Sequence, residues 1–174
     1  MLIGFWAETK ADHGRGRRKS FRNRSPDPVM VCMPSTYSQL YYHLIFSTKN
    51  RQPLITANLA PELYAYLGGI LRSLRGRALA LGGIADHVHI LAGLKPVHSV
   101  ASVTRELKSG SSQWLHGKDG QSDFFWQIGY AAITVSPSAT GVVRRYIQTQ
   151  AEHHRRMSFR EELIALLRQS GITL

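Results

Sequence analysis

Hydrophobic and polar positions alternate along most of this chain in runs short enough to assign. From Ser38 to Thr48 the sequence SQLYYHLIFST is dense in aromatic and β-branched residues and predicts a strand, closed by the polar, proline-stopped turn Lys49-Asn50-Arg51-Gln52-Pro53. Pro61 then marks a helix start, and Leu63, Tyr64, Leu67, Ile70, Leu71 and Leu74 give a 3.6-residue apolar stripe. Gly68-Gly69 weakens that helix but permits close backbone approach, and Arg72, Arg75 and Arg77 suit its dipole at the end. Two short apolar runs, Ala78 to Ile84 and Val88 to Leu94, flank Ala85-Asp86 and predict an antiparallel pair. Ser99 is a fair N-cap for a helix to about Leu115, with Val100, Val103, Leu107 and Trp114 on its buried side. After a loop at 116–123, Phe124-Phe125-Trp126 and Tyr130 to Val135 supply a fourth strand region. Ser136-Pro137-Ser138 starts a third helix, Ala139 to about Met157, and 159–170 forms a last amphipathic helix.

The order β-α-β-β-α-β followed by helices matches the split βαβ, or ferredoxin-like, α+β sandwich: a four-stranded antiparallel sheet with two helices on one face. Its first and third strands lie together at the centre, which brings His43 beside His87 and His89. The other sheet face is left for something to cover, and a C-terminal helix bearing Tyr146 follows.

A length of 174 residues suits one domain with a substantial core, and 43% apolar residues is ordinary for a folded protein. No apolar run approaches the roughly eighteen residues that span a bilayer, so no membrane partner is expected. Cys32 is the only cysteine, which excludes an internal disulfide and a cysteine-cage zinc site. With no recognisable signal peptide, the expected location is the cytoplasm. The 22 basic residues against 11 acidic ones leave a formal charge of +11, and the pI near 10.3 favours a polyanionic partner, nucleic acid first. Residues 1–32 hold seven of those basic residues and three of the acidic ones, so 33–174 stay basic without them. The segment 8–28 lacks hydrophobic periodicity and is rich in Arg, Gly, Ser and Pro. We therefore read 1–32 as a disordered basic segment: a phosphate-gripping arm or, with Met30 and Met33 just before the ordered pattern, the product of a mis-assigned start. The domain proper is 33–174.

The candidate chemistry begins at Asp86-His87-Val88-His89. In a strand, His87 and His89 share a face while Val88 points the other way, so two imidazoles offer two fixed nitrogens to a divalent metal. A half-buried strand that happens to carry two histidines is the plainer alternative. On the third helix, Tyr146 and Gln150 stand four residues apart and project together. A phenol can attack phosphorus if its phenolate is stabilised, and an amide oxygen can serve as a third ligand. An interfacial aromatic and a solvated glutamine would look the same in isolation.

The stretches YSQLYYHLIFSTKNRQPLI, GGIADHVHIL, TRELKSGSSQWL, FFWQIGYAAITVSPS and YIQTQAEHHRRMSFREELIALL, in order over residues 37 to 174, resemble the single-tyrosine HUH transposases of the insertion-sequence 200/605 type. The resemblance implies a small homodimer that cuts and rejoins single-stranded DNA at hairpin-containing ends of a mobile element. It implies that His87, His89 and Gln150 bind a divalent metal, Mg2+ or Mn2+. It also implies that Tyr146 attacks the scissile phosphate, leaving a 5′-phosphotyrosine link and a free 3′-hydroxyl. Whether one subunit's tyrosine helix completes its own site or its twin's stays open. A non-catalytic single-stranded nucleic-acid-binding module of the same fold is the alternative; the exposed aromatics of RNA-recognition folds are missing from the third strand, HVHILAGL. Longer HUH replication or conjugation nucleases are a third possibility that this chain's length disfavours.

Lys49, Arg51, Arg105, Lys108, Arg144 and Arg145 are candidate phosphate contacts. Asp86 is either an orienting partner for a ligand imidazole or a turn aspartate. His43 is a supporting group, a DNA contact or a packed strand histidine. His153 falls on the face of Tyr146 and reads as a solvated surface residue. On a continuous helix His154 points elsewhere. Trp126 and Tyr130 can stack on bases, though buried aromatics beside a sheet are commoner.

Overall fold

The computed structural model describes residues 37–118 and 121–172; the basic segment 1–32 and its start codon lie outside them. Four strands, β1 (Leu40–Ser47), β2 (Arg77–Ile84), β3 (His87–Leu94) and β4 (Ala131–Val135), form one antiparallel sheet in the order β2-β3-β1-β4. The helices are α1 (Leu59–Ser73), α2 (Val100–His116), α3 (Thr140–Gln148), α4 (Gln150–His153) and α5 (Phe159–Gln169). This is the ferredoxin-like order expected, with β1 and β3 central.

Alternation along the two central strands divides the sheet into two chemically different faces. Leu44 and Phe46 of β1 join Val88, Ile90 and Ala92 of β3 on the face that meets α1 and α2. The helices answer with residues four apart: Leu59, Leu63, Leu67 and Leu71 of α1, Val103, Leu107 and Leu115 of α2, all buried. Each fully buried leucine contributes about 1.5–3 kcal/mol of transfer free energy. Ser99 caps α2, its hydroxyl accepting from the Ser102 amide. Gly110 lets α2 approach α1, since a Cβ there would lie 3.1 Å from Ile70 Cδ1. Ser111, the one polar residue in the buried row of α2 besides Thr104, donates to the Leu107 carbonyl and accepts from Trp126 Nε1 at 2.9 Å.

The opposite face carries His43, Ile45 and Ser47 against Leu91, His89 and His87, paired in register. Helix α3 covers part of it, packing Ile147 and Val143 on Leu91, Ala80 and Val135. At Gly82 the helix comes so close that a Cβ would lie 2.4 Å from the Ile147 carbonyl oxygen. A side chain of any size on that β2 residue would hold the helix off the sheet.

Two elements differ from expectation. The fourth strand is only Ala131–Val135; Trp126 makes a lone bridge to Thr48, and Gly129, with φ of 88°, turns the chain between them. Lys108 Nζ donates to the carbonyls of Gln127 and Gly129 at 2.5 and 2.9 Å, so those oxygens are not free for a ladder. The single helix expected from Ala139 to Met157 is broken at Thr149 into α3 and α4, after a 3₁₀ turn at Pro137–Ala139. The Thr149 backbone leaves the helical region at φ −104°, ψ 19°, and its hydroxyl bonds back to the carbonyls of Arg145 and Tyr146. Among the described residues, no helix is long and apolar enough to cross a membrane.

Candidate active site

The histidines of β3 are fully buried between the sheet and the C-terminal helices. Each is fixed through its Nδ1. His87 Nδ1 lies 2.7 Å from Asp86 Oδ1, and the other carboxylate oxygen takes both Nε and Nη2 of Arg51 at 3.1 and 2.8 Å. Arg51 sits in the left-handed region, φ 57°, and lays its guanidinium over the Phe159 ring at the start of α5. Burial would push the Asp86 carboxyl up, but hydrogen bonds from His87 and Arg51 hold it below its ordinary value. Asp86 is therefore an acceptor, and His87 carries its proton on Nδ1. His89 Nδ1 lies 2.9 Å from His43 Nε2, so His43 is the supporting group of the second imidazole. Burial and the neighbouring His89 charge lower His87 to about 4, and burial lowers His89 as well. His43 falls to about 3 for the same reason, burial first and His89 second.

Both Nε2 atoms thus face a common space, and α3 to α5 bring four further groups to it. Tyr146, half-buried, stands edge-on to His43 and His89, with ring centroids 6.1 and 5.9 Å away. Its hydroxyl donates to Glu162 Oε1, which also accepts from Gln150 Nε2 at 3.0 Å. Burial and the Glu162 carboxylate push the phenol well above its usual range. Burial alone would raise Glu162; the His89 imidazole and the donors Tyr146 and Gln150 outweigh it and hold the carboxyl well below the usual range. Glu162 Oε2 lies 3.7 Å from His87 Nε2, 3.5 Å from His89 Nε2 and 3.0 Å from His154 Nε2.

The phenol and the paired imidazoles therefore meet within one chain. Gln150 is buried beside them, its amide nitrogen turned to Glu162 and its Oε1 without a partner. His154 was expected to point away; the break at Thr149 rotates it inward, and its Nε2 comes to 3.1 Å from His87 Nε2. His153 packs edge-on to Tyr146 at 5.1 Å and reaches 3.8 Å from Glu162 Oε1. Glu162 was not anticipated at all. Its signal was a carboxylate on the apolar side of FREELIALL, three residues after the buried Phe159. Of the basic candidates, Lys49, Arg105, Arg144 and Arg145 are exposed, while Arg51 clamps Asp86 and Lys108 holds the 127–129 carbonyls.

Three observations fit this space to a divalent cation. His89 Nε2, Gln150 Oε1 and Glu162 Oε2 are buried polar atoms with no hydrogen-bond partner, an expensive arrangement in a protein interior. His87, His89, His154 and Glu162 each offer a ligand atom, all within 4.8 Å of one another. The donors are imidazole nitrogen and carboxylate oxygen, which suit first-row divalent metals.

Comparison with known proteins gives a consistent result. A family model described as "Transposase IS200 like" matches residues 36–150. The transposase for insertion sequence element IS200 of Salmonella typhimurium is 33% identical over 121 residues, covering 64% of this chain and 76% of that protein; that of Salmonella typhi gives the same figures. Among solved structures, a Deinococcus radiodurans R1 protein described as a transposase is similar at TM-score 0.54 and 27% identity, over 68% of this chain and 95% of its own. A REP-associated tyrosine transposase bound to a REP hairpin has TM-score 0.53 at 15% identity, over 70% and 73%, a likeness of fold.

Proposed function

Because the chain belongs to the IS200-like transposase family, we propose that it cuts and rejoins single-stranded DNA at the ends of a mobile element, with Tyr146 as nucleophile. The observation that carries this reading is the convergence of the Tyr146 hydroxyl, the His87–His89 pair and Glu162 at one buried site, in a chain of formal charge +11. The partner is single-stranded DNA with hairpin-containing ends, and the working form is a homodimer.

His87 and His89 would hold a divalent metal, Mg2+ or Mn2+, with Gln150 as the third ligand that the family resemblance assigns. Bound there, the cation supplies Lewis-acid polarisation of the scissile phosphate and offsets the charge gathering on its oxygens. The protein's own groups do the rest. Asp86 and His43 fix the two imidazoles by their Nδ1 atoms, so neither ring can turn. Glu162 Oε1 holds the Tyr146 hydroxyl and is the acceptor for its proton. With the phenol raised and the carboxylate lowered, that transfer is unfavourable at rest and becomes favourable only as the Oη–phosphorus bond forms. The P–O3′ bond breaks, the 3′-oxygen leaves as a hydroxyl with a proton taken from solvent, Glu162 keeps the phenolic proton, and the 5′-phosphate stays on Tyr146. The reverse attack by a 3′-hydroxyl rejoins strands, and no nucleotide cofactor is needed because the phosphotyrosine conserves the phosphodiester bond energy. Exposed Lys49, Arg105, Arg144 and Arg145 contribute phosphate contacts.

The test is a labelled single-stranded oligonucleotide bearing the element's end, incubated with the protein and Mn2+ or Mg2+. A denaturation-resistant protein–DNA adduct is expected, absent in Tyr146→Phe while DNA binding persists. An adduct formed equally by the Phe variant removes Tyr146 from the role.

A further inference from the structure

We propose that His154 and Glu162, the first in the turn after α4 and the second on α5, are ligands of the same divalent cation as His87 and His89, so that the metal ties the C-terminal helix to the sheet. This rests on the reading that a divalent metal sits at His87 and His89. Both residues lie beyond the 36–150 segment that the family model matches.

Proton accounting leads to it. The Asp86 carboxylate and the Met157 carbonyl can only accept, so His87 and His154, bonded to them at 2.7 and 2.9 Å, both carry hydrogen on Nδ1. With Nδ1 so engaged, each Nε2 is the ring atom left to donate a lone pair to a cation, and the two Nε2 atoms face each other at 3.1 Å. Glu162 Oε2, another electron-rich atom, stands 3.0 Å from the second of them. His89 Nε2 faces the same space with no partner. The His87 and His154 nitrogens and the Glu162 oxygen are three acceptors turned towards one another, an arrangement that positive charge among them would stabilise. Their spacing is that of a coordination shell: bonds of about 2.0–2.2 Å from one cation separate neighbouring donors by about 3.0–3.5 Å. Four of the six separations, those that involve Glu162 Oε2 or join His87 to His154, run from 3.0 to 3.7 Å, and the whole set lies within 4.8 Å.

Glu162 also fixes the Gln150 amide. Its nitrogen bonds Oε1, the carboxylate oxygen turned away from His87, His89 and His154, which leaves the amide oxygen without a protein partner. The same Oε1 holds the phenol, which couples the nucleophile to the ligand set through one carboxylate. Three imidazoles and a carboxylate among the ligands suit Mn2+ or Zn2+ better than Mg2+, which prefers oxygen.

The probe is Mn2+ added to chelator-treated full-length protein, followed by electron paramagnetic resonance of the free ion. One Mn2+ per chain is expected, with Mg2+ competing poorly. His154→Ala and Glu162→Gln should each weaken Mn2+ binding about tenfold or more, with folding checked by circular dichroism. Without any variant, Mn2+ should slow hydrogen exchange in residues 159–169, because Glu162 ties α5 to the sheet. If His87→Ala alone abolishes binding, while both other variants bind like the unaltered protein and α5 exchange is unmoved, this inference fails and the metal role of the strand histidines stands. If the unaltered protein binds no Mn2+, both fall.

Discussion

The seat of the tyrosine helix gives the sharpest prediction. Gly82→Ala adds one methyl group to β2, directly beneath α3. That carbon would lie 2.4 Å from the Ile147 carbonyl oxygen and 3.1 Å from Ile147 Cγ2. An ordinary carbon–oxygen contact is about 3.4 Å, so something must yield by about 1 Å. The obstructing atom is helix backbone, which moves only with the helix. Tyr146 is the preceding residue, and it moves too. Overpacking of this kind costs about 1–3 kcal/mol of stability, and a displacement of about 1 Å at the reacting atom costs about 10²-fold in rate. Adduct formation under single-turnover conditions, together with a thermal melt, measures both. Gly110→Ala is the control: its new carbon would meet only the flexible tip of Ile70, on the other sheet face. It should leave the adduct rate unchanged. A Gly82→Ala protein that melts normally and forms adduct at the rate of the unaltered chain would show that α3 does not lie on β2 in the working enzyme.

Asp86→Ala removes the acceptor that fixes the His87 tautomer and frees Arg51; Mn2+ affinity should fall about 10–100-fold, and an unchanged binding isotherm would deny Asp86 that role. Acid should destabilise the fold through its buried histidines. His43 and His87 titrate at about 3 and 4 in the fold, below the value of about 6.5 in an unfolded chain. The unfolded state therefore binds more protons below pH 6.5. Stability is full above that pH and falls as pH drops towards 4, by about 1.4 kcal/mol per pH unit for each group; melting points that stay flat from pH 7 to 5 would contradict this. Arg144→Ala with Arg145→Ala should weaken single-stranded DNA binding and flatten its salt dependence by about one to two units of slope. Lys108→Ala should instead raise hydrogen exchange in residues 127–130, because its ammonium is committed to two carbonyls there.

The sequence by itself determined the sheet and its two-helix face, because period-two alternation in YYHLIF and HVHIL and the four-residue spacing of leucines in α1 are local facts that burial then exploits. It also determined that His87 and His89 share a face, since strand geometry allows nothing else. The tertiary structure alone decided what meets them. A helix drawn straight from Ala139 to Met157 turns His154 away; the departure of the Thr149 backbone from helical angles brings it inward. Glu162 lies 73 residues beyond His89 and carries no motif, only a carboxylate on an apolar helix face. Its meaning depends on α5 folding back over β3, which is set by packing rather than by local pattern. The ring nitrogens that meet at 3.1 Å belong to residues 67 apart in the chain, so the donor set does not exist until the chain has folded back on itself.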